Sequence, residues 1–184
     1  MQPALTTAAQ VLHDIGLAAG FGGSLFGKVA LGPAVRVIHD KEERGKVIHE
    51  AWTGYRWVNA FSLASAALTW FTGRAALSGK VLGRPARNAV IAKDILVGVA
   101  TASTIGCVAL GSYLGEGSRG FIPVEEGETP AAGTPPEKAR ALRAIGVLGT
   151  INIAAMAGVI GITAFLYQRS SSSVRWGVVS KFFP

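Results

Sequence analysis

Residues 95–114 read ILVGVATASTIGCVALGSYL, and residues 144–167 read AIGVLGTINIAAMAGVIGITAFLY. Neither stretch holds a charged residue or a histidine. A helix rises 1.5 Å per residue, so about 20 apolar residues cross the roughly 30 Å hydrocarbon layer of a bilayer. Both stretches reach that length. A lone strand in lipid leaves backbone groups unpaired at several kcal/mol each. A closed barrel needs alternating segments of about 10 residues, and these runs are continuous. Both therefore read as transmembrane helices.

The rest of the chain agrees. Of its 184 residues 49% are hydrophobic and only 16% charged, with a mean hydropathy of +0.38. Soluble domains carry about 25% charged residues, so much of this surface faces something other than water. Glycine occurs 24 times. It costs a soluble helix about 1 kcal/mol against Ala, but in lipid it lets helices approach closely. Two further apolar segments lie at residues 7–31, which include His13, Asp14 and Lys28, and at residues 52–72, with Arg56 near the start. The expected fold is all-α: a single integral membrane domain, residues 1–184, built as a four-helix bundle. Its loops span 32–51, 74–94 and 115–143, and its tail is 168–184.

The first loop carries mixed charge and is compatible with a short surface helix. The second is basic, and the third is acidic and rich in Pro and Gly. With four spans, each membrane face carries eight Lys and Arg. The second loop is short and nearly free of acid, so the positive-inside rule places the termini in the cytoplasm, at a bacterial inner membrane. Residues 1–10 lack the basic start of a signal peptide, so the first helix is expected to be retained. The net charge of +7 is spread over loops, which argues for a lipid bilayer and against nucleic acid as the partner. Cys107 is alone and sits in an apolar run, as a small buried hydrophobe does.

Small residues recur at helix-neighbour spacing: Gly16, Gly20, Gly23 and Gly27 on the first segment, and Gly98, Ala102 and Gly106 on the third. These are the expected helix-packing stripes. Ionisable groups inside a span cost about 2.5–3.5 kcal/mol each, which singles out His13, Asp14 and Lys28. Each sits at an interface, or faces the bundle interior to handle a proton or a ligand. Trp52, Tyr55, Arg56 and Asn59 step by three and four and share one helical face. They are candidate ligand-binding residues, because such a face can stack and hydrogen-bond a planar or anionic molecule. Trp and Tyr equally suit the interfacial belt. Thr150 and Asn152 are expected to bond between helices. No metal-ligand spacing, phosphate loop or nucleophile elbow is present, and no cofactor is expected.

The first hairpin resembles a family of small four-helix membrane proteins that includes anthrone-oxygenase-like proteins. The resemblance rests on Gly22-Gly23-Ser24-Leu25-Phe26, Gly32-Pro33-Ala34-Val35-Arg36 and Trp52-Thr53-Gly54-Tyr55-Arg56, and covers about the first 75 residues. An acidic residue expected before the Pro-Ala stretch has no counterpart here. The resemblance implies a four-helix bundle and a cofactor-free oxygenase acting on a polycyclic aromatic, with Arg36, Trp52, Tyr55 and Arg56 as the site positions.

The leading functional expectation is an accessory or structural subunit, packed against a membrane protein partner or a second copy. A membrane-embedded binder or oxygenase-like enzyme for an aromatic ligand is the alternative, and an oligomeric small transporter is the second.

Overall fold

The computed structural model describes residues 3–77, 84–115 and 121–182. Among the described residues the chain is all-α apart from one small hairpin. Four long helices follow one another: α1 (Pro3–Phe26), α2 (Lys41–Leu77), α3 (Arg84–Gly115) and α4 (Pro136–Phe182). Among the described residues, three helical stretches are long and apolar enough to cross a membrane: Thr7–Val37, Arg87–Gly115 and Pro136–Gln168. α2 misses that standard. Its first turns hold the mixed-charge run, and Arg56, Asn59 and several Ser, Thr and Gly dilute its apolar half.

The helices overrun the expected segments for local reasons. The first loop is mostly α2. Asp40 caps it, its Oδ1 accepting the amides of Glu42 (2.7 Å) and Glu43 (3.0 Å). Those two carboxylates then favour the positive helix end. Arg84–Asp94, expected in the second loop, is the opening of α3, and Pro85 is tolerated in its first turn. α4 starts at Pro136 and runs through the expected tail to Phe182. Residues 78–83, 116–120 and 183–184 of the expected loops and tail lie outside the described residues.

α1 does not stop at Phe26. Gly27–Leu31 forms one wide turn, closed by the Gly32 amide on the Gly27 carbonyl. Pro33 has no N–H, and its ring crowds the carbonyl four residues back. The wide turn accommodates that loss. Val35–Val37 tightens into a 3₁₀ turn, and Ile38 leaves as extended chain.

Consecutive helices form two hairpins, α1 with α2 and α3 with α4. On α1 the Gly16, Gly20, Gly23 and Gly27 stripe faces α2 along its length. Side chains at these positions would collide with Ser65, Ser62, the Tyr55 ring and the Trp52 ring respectively. α3 turns Val90, Val97, Ala100 and Ser103 inward, and α4 answers with Asn152, Ala155, Met156 and Val159. The α3 stripe is displaced from the expected one. Gly106 meets Leu148, but Gly98 and Ala102 are exposed, and nothing lies within 4 Å of a side chain placed at Gly98. Leu17, Trp70, Val97 and Met156 join the two hairpins in one core.

At one end the chain folds a lid of its own. β1 (Val124–Glu126) pairs antiparallel with β2 (Thr129–Pro130) around Gly127, whose φ of +45° suits glycine. Arg44 ties this hairpin to the start of α2, donating to the carbonyls of Ile38 (2.7 Å) and Glu125 (2.8 Å). Lys41 Nζ donates to Glu125 at 2.5 Å, and Arg36 pairs with Glu126.

The Lys41 hydrogen bond, helped by the Lys41 and Arg44 charges, holds the Glu125 carboxyl below the usual carboxylate range. A depressed carboxyl stabilises the fold above its unfolded pKa and loses that contribution as pH falls through the folded value. The lid is therefore expected to stay docked at neutral pH and to loosen only below about pH 4.3, the ordinary Glu value. Amide exchange across residues 121–131 as a function of pH checks this. A Glu125→Gln variant should be looser already at pH 7 and lose most of the acid dependence.

Candidate functional site

The strongest concentration of buried polarity lies at the opposite end from the lid. His13 on α1 is 4% exposed and Lys93 on α3 is 2% exposed. Lys93 Nζ stands 3.0 Å from His13 Nε2. His13 Nδ1 lies 3.1 Å from the Ala66 carbonyl and 2.9 Å from Thr69 Oγ1, both on α2. A backbone carbonyl only accepts, so Nδ1 carries the ring proton. Nε2 is then free to accept from the Lys93 ammonium. Thr69 passes its own proton to the Ser65 carbonyl at 2.5 Å, which leaves its oxygen to accept from His13 as well.

The other face of the Lys93 ammonium meets the Trp70 ring, 4.2 Å from its centroid. Trp70 Nε1 donates to Asp94 Oδ1 at 2.8 Å. Among the described residues, no carboxylate forms an ion pair with Lys93. The ammonium is instead held by one imidazole and one indole, a desolvated cation–π contact of the stronger kind. Asp14, beside His13, is exposed and accepts from Gln10 at 3.1 Å. Three helices thus supply one polar layer, and a proton added to His13 would break its bond to Lys93 and set two cations face to face.

The sequence located His13 but not its partner. Lys93, Asp94, Thr69 and Trp70 stood at segment ends, where charge and aromatics read as interface. The available signal was spacing: Val90, Lys93, Val97 and Ala100 lie on one face of α3, so an inward apolar stripe passes through the lysine.

The expected ligand face on α2 is divided. Trp52 and Tyr55 are half-buried, stacked edge to face with ring centroids 6.0 Å apart. Their rings fill the seats left by Gly27 and Gly23. Tyr55 Oη donates to the Ala19 carbonyl at 2.5 Å. Asn59 continues this half-buried side, whereas Arg56 is exposed and lies over the Trp57 ring, 5.8 Å from its centroid. Arg36 belongs to the lid through Glu126. The structure therefore brings Trp52 and Tyr55 together and places Arg56 and Arg36 elsewhere.

Lys28 sits in the wide turn of α1 and donates to the Gly146 carbonyl of α4 at 3.2 Å. Asn152 bonds between helices, to the Ala100 carbonyl and Thr104 Oγ1, both at 2.9 Å. Thr150 instead bonds back to its own helix at Gly146, 2.8 Å away. Cys107 is half-buried, with its thiol 3.8 Å from the Ile145 carbonyl. Among the described residues, no three His, Cys, Asp or Glu side chains group as metal ligands. No family model matches the chain, and neither a curated protein nor a solved structure does.

Proposed function

We propose that all four helices cross the bilayer and that the protein is a non-enzymatic accessory subunit, packed through α3 against a larger membrane partner. The fourth crossing is supported by α2's outward side. Trp57, Phe61, Leu68 and Phe71 recur there at helical spacing, 53–74% exposed, which is a lipid-facing stripe. α2 also lies along the glycine stripe of α1, so the two share one depth.

One observation carries the subunit reading. The small-residue ridge Gly98, Ala102 and Ala109 runs down the outside of α3. It is flanked by Ile95 and Ile105, each 61% exposed. Small residues four apart let another helix approach closely in lipid, where packing rather than hydrophobicity drives association. Among the described residues, nothing lies within 4 Å of a side chain placed at Gly98, and Ala102 and Ala109 are exposed. In this reading the termini lie in the cytoplasm of a bacterial inner membrane.

A Gly98→Leu/Ala102→Leu variant is expected to fold as the wild type does, because both positions are open. It should shift the native complex to the mass of the free chain on native electrophoresis, a loss of at least tenfold in partner recovered by mass spectrometry. Wild-type protein running as a lone monomer in mild detergent would overturn the proposal.

A second reading, proton movement through an oligomer, is favoured by the His13–Lys93 contact. Proteoliposomes would show a proton leak that His13→Ala removes. An absence of flux ends that reading.

A further inference from the structure

Where α1 meets α4, beneath the lid, a cleft of about 400 Å³ opens outward. Its walls bring Lys28 and Arg143 together with Glu128, Thr129, Thr150 and Val147. Two cations face one carboxylate, and the cleft carries a net charge of about +1. Lys28 spends a single hydrogen bond, on the Gly146 carbonyl, and two of its ammonium protons have no acceptor among the described residues. Arg143 is exposed one turn before Gly146. Neither cation forms an ion pair with Glu128, although the Glu128 side chain lies over Gly146.

The depth of the cleft matters as much as its charge. Arg143 immediately precedes the uncharged run 144–167 of α4, and Lys28 immediately follows the glycine-lined stretch of α1. Lys28 lies in the last turns of the stretch Thr7–Val37 and reaches α4 at Gly146, one turn from Arg143, so in the four-span reading both cations stand at headgroup level. Below them the wall turns apolar: Val147 is 60% exposed and Ile151, one turn deeper on the same face, is 42% exposed. A polar mouth at headgroup level above an apolar groove has the two-part form of a phospholipid.

We propose that this cleft holds the singly charged phosphodiester headgroup of an anionic glycerophospholipid. The phosphate lies between Lys28 and Arg143, and one acyl chain lies along Val147 and Ile151. Arginine and lysine are the natural phosphate partners. Glu128 sets the selectivity. It opposes a second negative charge, so a phosphate monoester or free phosphate binds less well, and it accepts from a hydroxyl-bearing headgroup such as phosphoglycerol. The site depends on the chain spanning the bilayer and is independent of any protein partner.

The test uses the full chain, purified in mild detergent and read by native mass spectrometry. Mixed phosphatidylcholine and phosphatidylglycerol micelles should leave phosphatidylglycerol bound at least tenfold over its share. Lys28→Gln and Arg143→Gln should each remove most of that preference while the thermal transition stays intact. Glu128→Gln should raise the retention of phosphatidic acid, the monoester, relative to phosphatidylglycerol. Equal retention of both lipids by wild type and by Arg143→Gln overturns the site. Displacement of bound phosphatidylglycerol by millimolar inorganic phosphate also overturns it, in favour of a soluble anion. Because each variant is compared in protein already extracted from membranes, these results leave the question of a protein partner untouched.

Discussion

Changing His13 to Ala while Lys93 remains is expected to destabilise the protein by about 3–5 kcal/mol, the cost of stripping a buried charge of its partner. Among the described residues the imidazole is the only hydrogen-bond acceptor of the Lys93 ammonium, and the Trp70 ring covers another side of it. Lys93→Met is milder. It leaves His13 Nε2 without a donor, at about 1–3 kcal/mol. The double variant His13→Leu/Lys93→Met should return to within about 1 kcal/mol of wild type or exceed it, since an apolar pair of similar volume often replaces a buried polar pair without loss. Thermal unfolding in detergent of wild type, His13→Leu, Lys93→Met and the double variant closes the cycle and gives the coupling energy directly. Additive single effects, or a His13→Ala loss under 0.5 kcal/mol, would show that the layer is not a pair at all.

The second large effect is expected at Gly45, in the opening turns of α2. A side chain there would meet the Ile122 carbonyl oxygen. The obstacle is backbone, so it cannot swing away as a side chain does. Gly45→Ala should lift the segment leading into β1. Val124, 2% exposed, would lose its cover, and the Lys41, Arg44 and Arg36 contacts to the lid would go with it. The combined loss is about 3 kcal/mol: overpacking at 1–3 kcal/mol, plus part of a valine's burial. Limited proteolysis should then cut within residues 121–135 at least tenfold faster, with helix content unchanged. Gly54→Ala is the matched control. It sits on the same helix with nothing within 4 Å, and should be neutral or stabilising by up to about 1 kcal/mol.

Much of the fold was legible because lipid imposes a simple demand on a chain. Runs of the right length and dryness marked where each helix would lie, and four glycines in step on α1 marked the face that meets α2. Helix ends were less legible. Charge between residues 41 and 50 reads as loop by composition, yet Asp40 caps a helix that carries that charge on its surface. The same habit hid Lys93. A lysine beside an aspartate at the rim of an apolar run looks solvated, and only the approach of His13, 80 positions away in the chain, buries it. Its local trace is the inward spacing of Val90, Lys93, Val97 and Ala100; the identity of the partner leaves none. By spacing Trp52 and Tyr55 read as one face with Arg56 and Asn59, and in the structure Arg56 lies apart, exposed over Trp57. What Trp52 and Tyr55 meet, the glycine seats of α1, required the pairing of two stripes that had been read separately. Gly98 and Gly106 lie eight apart on one stripe, yet only the second reaches a neighbour, because α3 is rotated to bring Val97 and Ala100 inward.

The two hairpins are each made of chain neighbours, so in the proposed four-span reading each enters the bilayer as it is synthesised, first one and then the other. His13 travels in with the earlier pair and Lys93 with the later. Until the halves dock, the imidazole of one and the ammonium of the other are without each other as partners. The layer therefore exists only where both hairpins are present, and it ties the two halves of the fold to each other.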